Sequence, residues 1–350
     1  GVYSSPTKPP RASFGSPGKR LSGGGGGVDE SLNQSWLDKT LSPVTPGKEE
    51  GYDGRYFLEE DDHGVDIYMR ACAEMRTAPI SQIVKNAADI QSLELAHRGV
   101  GDRGCVGMCT FLLGNRTISA IDLADNNVGS AGGAALFDAL SKTRRVTELN
   151  LAGNSLAAAM GDVGKVLAPG QVLQLLNVER NKIGDREAEA LATGLRDCPA
   201  LAELRLGSNS IADRGLAALC SAISYRTCAL RAINLDWNKI RSVAPLAAAL
   251  QDGAHLVHVS LQWNKIGTAG AKALALALQD RGTLQYLDIS HNEVGEGACG
   301  ELARMIATAS RLQTLCASGN PSIGDVGALA LLSGITEDAP LARLELCGCG

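Results

Sequence analysis

Residues 201–212 read LAELRLGSNSIA, with leucine at the first, fourth and sixth places (Leu201, Leu204, Leu206), Asn209 at the ninth and Ile211 at the eleventh. Leu204 and Leu206 lie two apart, the spacing of a short strand that buries one face and leaves the residues between to face outward. Asn209 falls where the chain would leave that strand. Its side chain is both donor and acceptor, so it can satisfy buried backbone groups of adjacent turns. The same frame begins at residues 90, 118, 146, 173, 201, 230, 256, 284, 312 and 341, at intervals of 26 to 29 residues. The ninth place is Asn126, Asn154, Asn181, Asn209, Asn238, Asn264, Asn292 or Asn320, and a Gly- and Ala-rich helical stretch follows, as in AGAKALALAL at 269–278. A period this regular means that each unit buries its apolar face against its neighbours.

The frame L-x-x-L-x-L-x-x-N-x-I is that of a leucine-rich repeat. Its long period and its helix of two to three turns resemble the ribonuclease-inhibitor subclass. The expected fold class is α/β: a leucine-rich-repeat solenoid over residues 90–350, nine full copies and a partial tenth. Strands stack about 4.8 Å apart whereas helices need about 10 Å, so the array should bend into a horseshoe with a parallel sheet on its concave face and helices on its convex face. Local distortion is expected where the frame breaks. Arg98 and Cys349 replace the ladder asparagine, GKVLAPGQ (164–171) falls where the third helix should finish, and Pro321-Ser322 adds a residue to the ninth copy. The partial tenth copy leaves an edge that further chain or a neighbour should cover.

Upstream, residues 64–89 carry helical apolar spacing at Ile67, Ala71 and Met75 and a second helical stretch with Pro79 near its first turn. This segment is read as a helical N-terminal cap, which a repeat stack needs in order not to expose its first apolar face. Residues 1–63 are rich in Ser, Pro, Gly and charge, with five consecutive glycines at Gly23–Gly27, and are expected to be a disordered tail. Within them Ser5, Ser16 and Thr45 each begin a Ser/Thr-Pro-x-Lys tetrapeptide resembling the sites of proline-directed kinases, and Trp36-Leu37 is a candidate short docking motif.

Composition narrows the function classes. A formal charge of −5 gives no electrostatic footprint for nucleic acid, and no run of 18 apolar residues points to a membrane. The expected setting is cytoplasmic. The ten cysteines are scattered without paired CxxC spacing, and reduced, buried thiols fit better than a zinc site or a disulfide framework. The chain shows no nucleophile elbow, phosphate loop, HExxH or other metal-spaced cluster. The expectation is therefore no enzyme, no metal and no cofactor.

What remains is a binding surface. By the frame, places 3, 5, 7 and 8 face the concave side. Trp237 and Trp263 both occupy place 8 of adjoining copies, where the core does not require tryptophan: other copies hold Asp125, Gly153, Arg180, Ser208, His291 and Gly319 there. Beside them fall Asp236, His258, Tyr286 and Asp288, and nearer the first copies Glu179, Arg180 and Arg205. Aromatic anchors flanked by charge make an interface hot spot for a protein partner. Counted over the same places, nine acids (Glu94, Asp122, Asp125, Glu148, Glu179, Glu203, Asp236, Asp288, Glu345) oppose three arginines (Arg180, Arg205, Arg343), which favours a basic or mixed partner surface.

Resemblances extend this reading. Ribonuclease inhibitor grips its target with concave aromatic and acidic residues, and Trp237, Trp263, Tyr286, Asp236 and Asp288 match that surface in character. Intracellular innate receptors carry similar arrays behind a nucleotide-binding domain. The Ran GTPase-activating protein shares the repeat, which implies regulation of a small GTPase as an alternative. The segment with Tyr68, Cys72, Pro79, Leu95, His97 and Gly99 is similar to the start of small leucine-rich-repeat proteins of motile cilia and flagella. That last resemblance implies a scaffold or adaptor in an axonemal or cytoskeletal assembly.

Overall fold

The computed structural model describes residues 64–279, 282–309, 311–337 and 339–350. The tail with Ser5, Ser16, Thr45 and Trp36 lies outside the described residues.

Every copy of the frame forms a strand of three residues: β1 Ser92–Glu94, β2 Ala120–Asp122, β3 Glu148–Asn150, β4 Leu175–Asn177, β5 Glu203–Arg205, β6 Ala232–Asn234, β7 His258–Ser260, β8 Tyr286–Asp288, β9 Thr314–Cys316 and β10 Arg343–Glu345. They pair in parallel and in chain order, β1 to β10, in one sheet. Register follows the frame, so that like places stack: Leu204 lies beside Ile233, Ile233 beside Val259, and Val259 beside Leu287. Columns of identical places build the core. Leu149, Leu176, Leu204, Val259, Leu287 and Leu315 at place 4 have no exposed surface, and Leu151, Val178, Leu206, Leu235, Leu261 and Ile289 at place 6 repeat this one column deeper.

The asparagine column closes the backbone account. The Asn209 amide donates to the carbonyls of Val178, Leu206 and Gly207, at 3.0, 3.0 and 3.2 Å, and its Oδ1 accepts the Asn181 and Ile183 N–H groups at 2.9 and 3.0 Å. Asn126, Asn154, Asn264, Asn292 and Asn320 reach the preceding copy's carbonyls in the same way. Where Cys349 takes the place, its thiol donates to the Ala317 carbonyl at 3.2 Å and the Oδ1 acceptor is lost.

Helices line the other side of the sheet, each packed on the next. Their N-termini are tied across copies by a device absent from the sequence reading. Asp102 Oδ1 accepts the Gly129 and Gly132 N–H groups at 2.6 and 2.9 Å, Asp185 Oδ1 accepts those of Ala212 and Gly215 at 2.7 and 3.0 Å, and Asp213 Oδ1 accepts those of Arg241 and Ser242 at 2.7 and 2.8 Å. A helix leaves its first N–H groups without intrahelical partners, and Asp102 and Asp185 each satisfy two of them in the following copy, whereas Asp213 binds the turn just ahead of helix Ala244–Gln251. We expect Asp185→Ala to cost about 1–2 kcal/mol, read as a lower midpoint in urea denaturation, the loss typical of an N-cap. An unchanged midpoint would remove the capping role.

The breaks in the frame distort locally. Copy three replaces a full helix with a 3-10 turn, Ala157–Asp162, and a short helix, Gly164–Leu167, that stops ahead of Pro169. The ninth copy turns through a 3-10 segment, Pro321–Ile323, before its helix Gly324–Ser333. Helices Val65–Met75 and Ser81–Asn86 precede β1. Buried Tyr68 ties them together: its hydroxyl accepts the Ile80 N–H at 2.6 Å, and its ring lies against Phe111. Among the described residues no helix is long and apolar enough to cross a membrane.

Candidate functional site

Place 8 is where the chain turns out of the strand, and it does so in the left-handed backbone region. Trp237, Trp263 and His291 have φ of 54°, 56° and 55°, as do Asp125, Arg180 and Ser208 at 53–54°. That conformation suits glycine, which copies three, nine and ten use at Gly153, Gly319 and Gly348. A large L-residue there is strained, by about 1–2 kcal/mol. The turn itself is fixed by the N–H of place 8, which donates to the place 7 carbonyl of the next copy: Trp237 to Gln262 at 2.8 Å, Trp263 to Ser290 at 3.0 Å. Seven of the ten copies hold a residue larger than glycine in this left-handed turn, so it tolerates Trp237 and Trp263 without requiring tryptophan.

The side chains carried by this turn form one row beside the sheet. The Trp237 and Trp263 rings stack at 4.3 Å and 15°, and Trp263 and His291 at 3.9 Å and 7°. One row inward, on the strands, His258 and Tyr286 stack at 3.9 Å and 2°. Trp237 and Trp263 are 52% and 41% exposed, and Trp237 ends the row, with a ring partner on its Trp263 side only among the described residues.

Beneath the rings the two carboxylates expected at the interface point inward. Asp288 is only 6% exposed; its Oδ1 accepts the Ser290 N–H at 2.8 Å and its Oδ2 the Tyr286 hydroxyl at 3.3 Å. Asp236 accepts the Ser260 hydroxyl, the Gln262 N–H and the Asn234 amide at 2.5, 2.8 and 2.9 Å. Asp288 is thus buried among its neighbours and Asp236 half-buried, and both carboxylates bond side chains and N–H groups of the sheet beside the rings. Burial holds the Asp236 carboxyl above its ordinary range despite those hydrogen bonds. It likewise raises the Tyr286 phenol, with Asp288 adding to the effect, and lowers the His258 imidazole, against the pull of Glu203 and Asp236. His258 should accordingly titrate below the ordinary imidazole range. Tyr286→Ala, which uncovers its ring, should bring it back up; NMR titration of the His258 ring protons checks both.

Glu179, Arg180 and Arg205 lie apart from the rings. Arg180 reaches back over Gly153 to Asp125 at 3.0 Å, and Arg205 pairs with Glu203 at 2.6 Å. Arg343 pairs with Glu345. Each of the three arginines thus has its own acid, and with Asp236 and Asp288 turned inward the face is less acidic to a partner than the simple count implies. Glu179 makes no ion pair among the described residues. Within the same limits, no group of three His, Cys, Asp or Glu residues is arranged to hold a metal ion. The cysteines are free thiols, buried except for Cys347.

The family model described as Leucine Rich repeat matches residues 114–137, 197–220, 254–275 and 283–302, which fall on the repeats just described. The chain is built of leucine-rich repeats. This leucine-rich-repeat chain is similar to ribonuclease inhibitor from Sus scrofa, 29% identical over 123 residues, which cover 33% of this chain and 27% of that one. It is also similar to NACHT, LRR and PYD domains-containing protein 3 from Bos taurus, 26% identical over 219 residues, covering 53% of this chain and 21% of the other. A crystal structure of an internalin (InlF) from Listeria monocytogenes superposes with a TM-score of 0.42 at 17% identity, over 81% of this chain and 89% of that one. The chain thus spans about a quarter of the length of these two curated relatives.

Two features of the leucine-rich-repeat surface escaped the sequence reading. One is the turn at place 5, where Asp122, Asn150, Asn177, Asn234 and Asp288 each accept the N–H of the residue two further on. The signal was present, because Asp or Asn recurs at that place and such residues bond to their own backbone two positions along. The other is the recurrent Asp-Arg pair after the frame, at Asp102, Asp185 and Asp213, which supplies the inter-copy caps.

Proposed function

We propose that this chain is a non-enzymatic scaffold or adaptor that binds a protein partner on the concave face of its repeats, through the stacked row Trp237, Trp263 and His291 and the adjoining pair His258 and Tyr286. The observation that carries this reading is the placement of two tryptophans, stacked and half exposed, at a turn position that other copies fill with glycine, serine or a polar or charged residue. Aromatic side chains of this kind bury large area at small entropic cost and dominate interface energetics. The setting we propose is cytoplasmic, in an axonemal or other cytoskeletal assembly, on the resemblance of the segment around Tyr68, Pro79 and His97. The match to ribonuclease inhibitor supports a second reading, stoichiometric inhibition of a basic enzyme. The test is to isolate the tagged chain with its partners from its own cells, beside the variant in which Trp237 and Trp263 are both Ala. Cytoskeletal partners lost in the variant support the scaffold, and a single basic enzyme held in equal amount supports the inhibitor. Partners held equally by both forms exclude the concave row.

A further inference from the structure

The row at place 8 has a gap. Backbone hydrogen bonds link Arg180, Ser208 and Trp237 through successive copies, Arg180 N–H to Gly207 O at 3.0 Å and Ser208 N–H to Asp236 O at 2.8 Å, so Ser208 is the rung between the other two. Both neighbours have their partners on the side away from it: Arg180 pairs with Asp125 across Gly153, and Trp237 stacks on Trp263 at 4.3 Å. Ser208 is left exposed. Two strand spacings, about 10 Å, separate the flanking backbones, and one flat group needs about 7 Å for van der Waals contact on both faces. The slot over Ser208 therefore has room for a single planar layer that would continue the aromatic stack.

Its chemistry selects the occupant. One wall is the bare face of the Trp237 indole, whose π cloud attracts a cation. The floor is glycine at place 7, and two acceptor groups converge over Gly207: a Cβ there would stand 2.9 Å from Asn234 Oδ1 and 3.1 Å from the Glu179 carboxylate oxygen Oε1. That carboxylate makes no ion pair among the described residues, while the one arginine beside it is already held by Asp125. A flat cation satisfies wall and carboxylate together, which a lysine ammonium does less well, because only guanidinium is planar and stacks. We infer that the slot over Ser208 receives an arginine side chain of the partner, stacked on Trp237 and paired with Glu179. The inference rests on the concave binding surface proposed above and names what it recognises.

The full chain, labelled with 15N at tryptophan and its Trp237 indole signal assigned with Trp237→Phe, would be titrated with the peptide acetyl-Gly-Arg-Gly-amide and with its lysine and citrulline counterparts. The arginine peptide should shift that signal saturably and bind at least about fivefold more tightly than the lysine peptide. Glu179→Gln should remove the preference for arginine over uncharged citrulline. Ser208→Trp should abolish the shift, since it fills the slot with a residue that the next two copies hold at φ 54° and 56°, against 54° at Ser208, and so should fold. No saturable shift at about 50 mM peptide, or one that survives Ser208→Trp, overturns the assignment. Failure of the slot is separable from failure of the surface: if Trp237 and Trp263 changed to Ala lose the cellular partner while Ser208→Trp and Glu179→Gln keep it, the surface stands and the arginine slot does not.

Discussion

Replacing Trp237 and Trp263 together with Ala will weaken capture of the cellular partner by at least about 100-fold and leave the fold in place. Two central aromatic anchors commonly carry 2 kcal/mol or more each, and about 1.4 kcal/mol is a factor of ten in affinity, so an additive pair would cost about a thousandfold; hot-spot losses are non-additive, and about a hundredfold is the least expected. The folded state gives up two ring contacts, between Trp237 and Trp263 and between Trp263 and His291, worth about 0.5–1.5 kcal/mol each. No buried column is opened, because both side chains stand outside the sheet at 52% and 41% exposure. Melting followed by circular dichroism should therefore fall by no more than about 10 °C. A collapse beyond that would show the rings to be structural, and an unchanged affinity would show the partner to bind elsewhere.

The fold was legible because every copy repeats the same constraint. Leu204, Leu206, Asn209 and Ile211 each recur at a fixed place, and the register of Leu204 beside Ile233 and Ile233 beside Val259 follows from the frame alone. The breaks were legible for the same reason, as at GKVLAPGQ, where glycine and proline cannot sustain a helix. The site was half legible. Place 8 put Trp237 beside Trp263 and Trp263 beside His291, and the rings do stack. The frame could not show that Asp288 would be buried, since its rule assigns a direction to each side chain and takes no account of how neighbouring strands crowd one another. Nor does it carry φ, so the left-handed turn that place 8 shares from copy to copy emerges only from the backbone. Ser208 was legible only as a non-aromatic residue in the row; that Arg180 pairs with Asp125 across Gly153, and Trp237 with Trp263, is seen only in the structure.

The largest effect on stability belongs to the asparagine column, and Asn209→Leu tests it. Leucine has the same heavy-atom count and branching and is more apolar, so transfer energy alone would favour the variant. Hydrogen bonding decides otherwise. Asn209 is 8% exposed and its Oδ1 is the side-chain acceptor for the N–H groups of Asn181 and Ile183, while its amide serves the carbonyls of Val178, Leu206 and Gly207. Each buried N–H left without an acceptor costs about 1–3 kcal/mol, so two of them set an expected loss of about 2–6 kcal/mol before the carbonyls are considered. In a repeat array the damage should be local, because each copy contacts only its neighbours. Hydrogen exchange should quicken most at the Asn181 and Ile183 amides and fade toward β1 and β10, with denaturation becoming broader as the array divides at the lesion. Asn209→Asp separates the two halves: it keeps the acceptor for both N–H groups but sets a carboxylate oxygen against the carbonyls of Val178, Leu206 and Gly207, so it should also lose stability while exchange at Asn181 and Ile183 stays slower than in Asn209→Leu. If exchange at those two amides is equally fast in both variants, the acceptor half of the ladder contributes nothing.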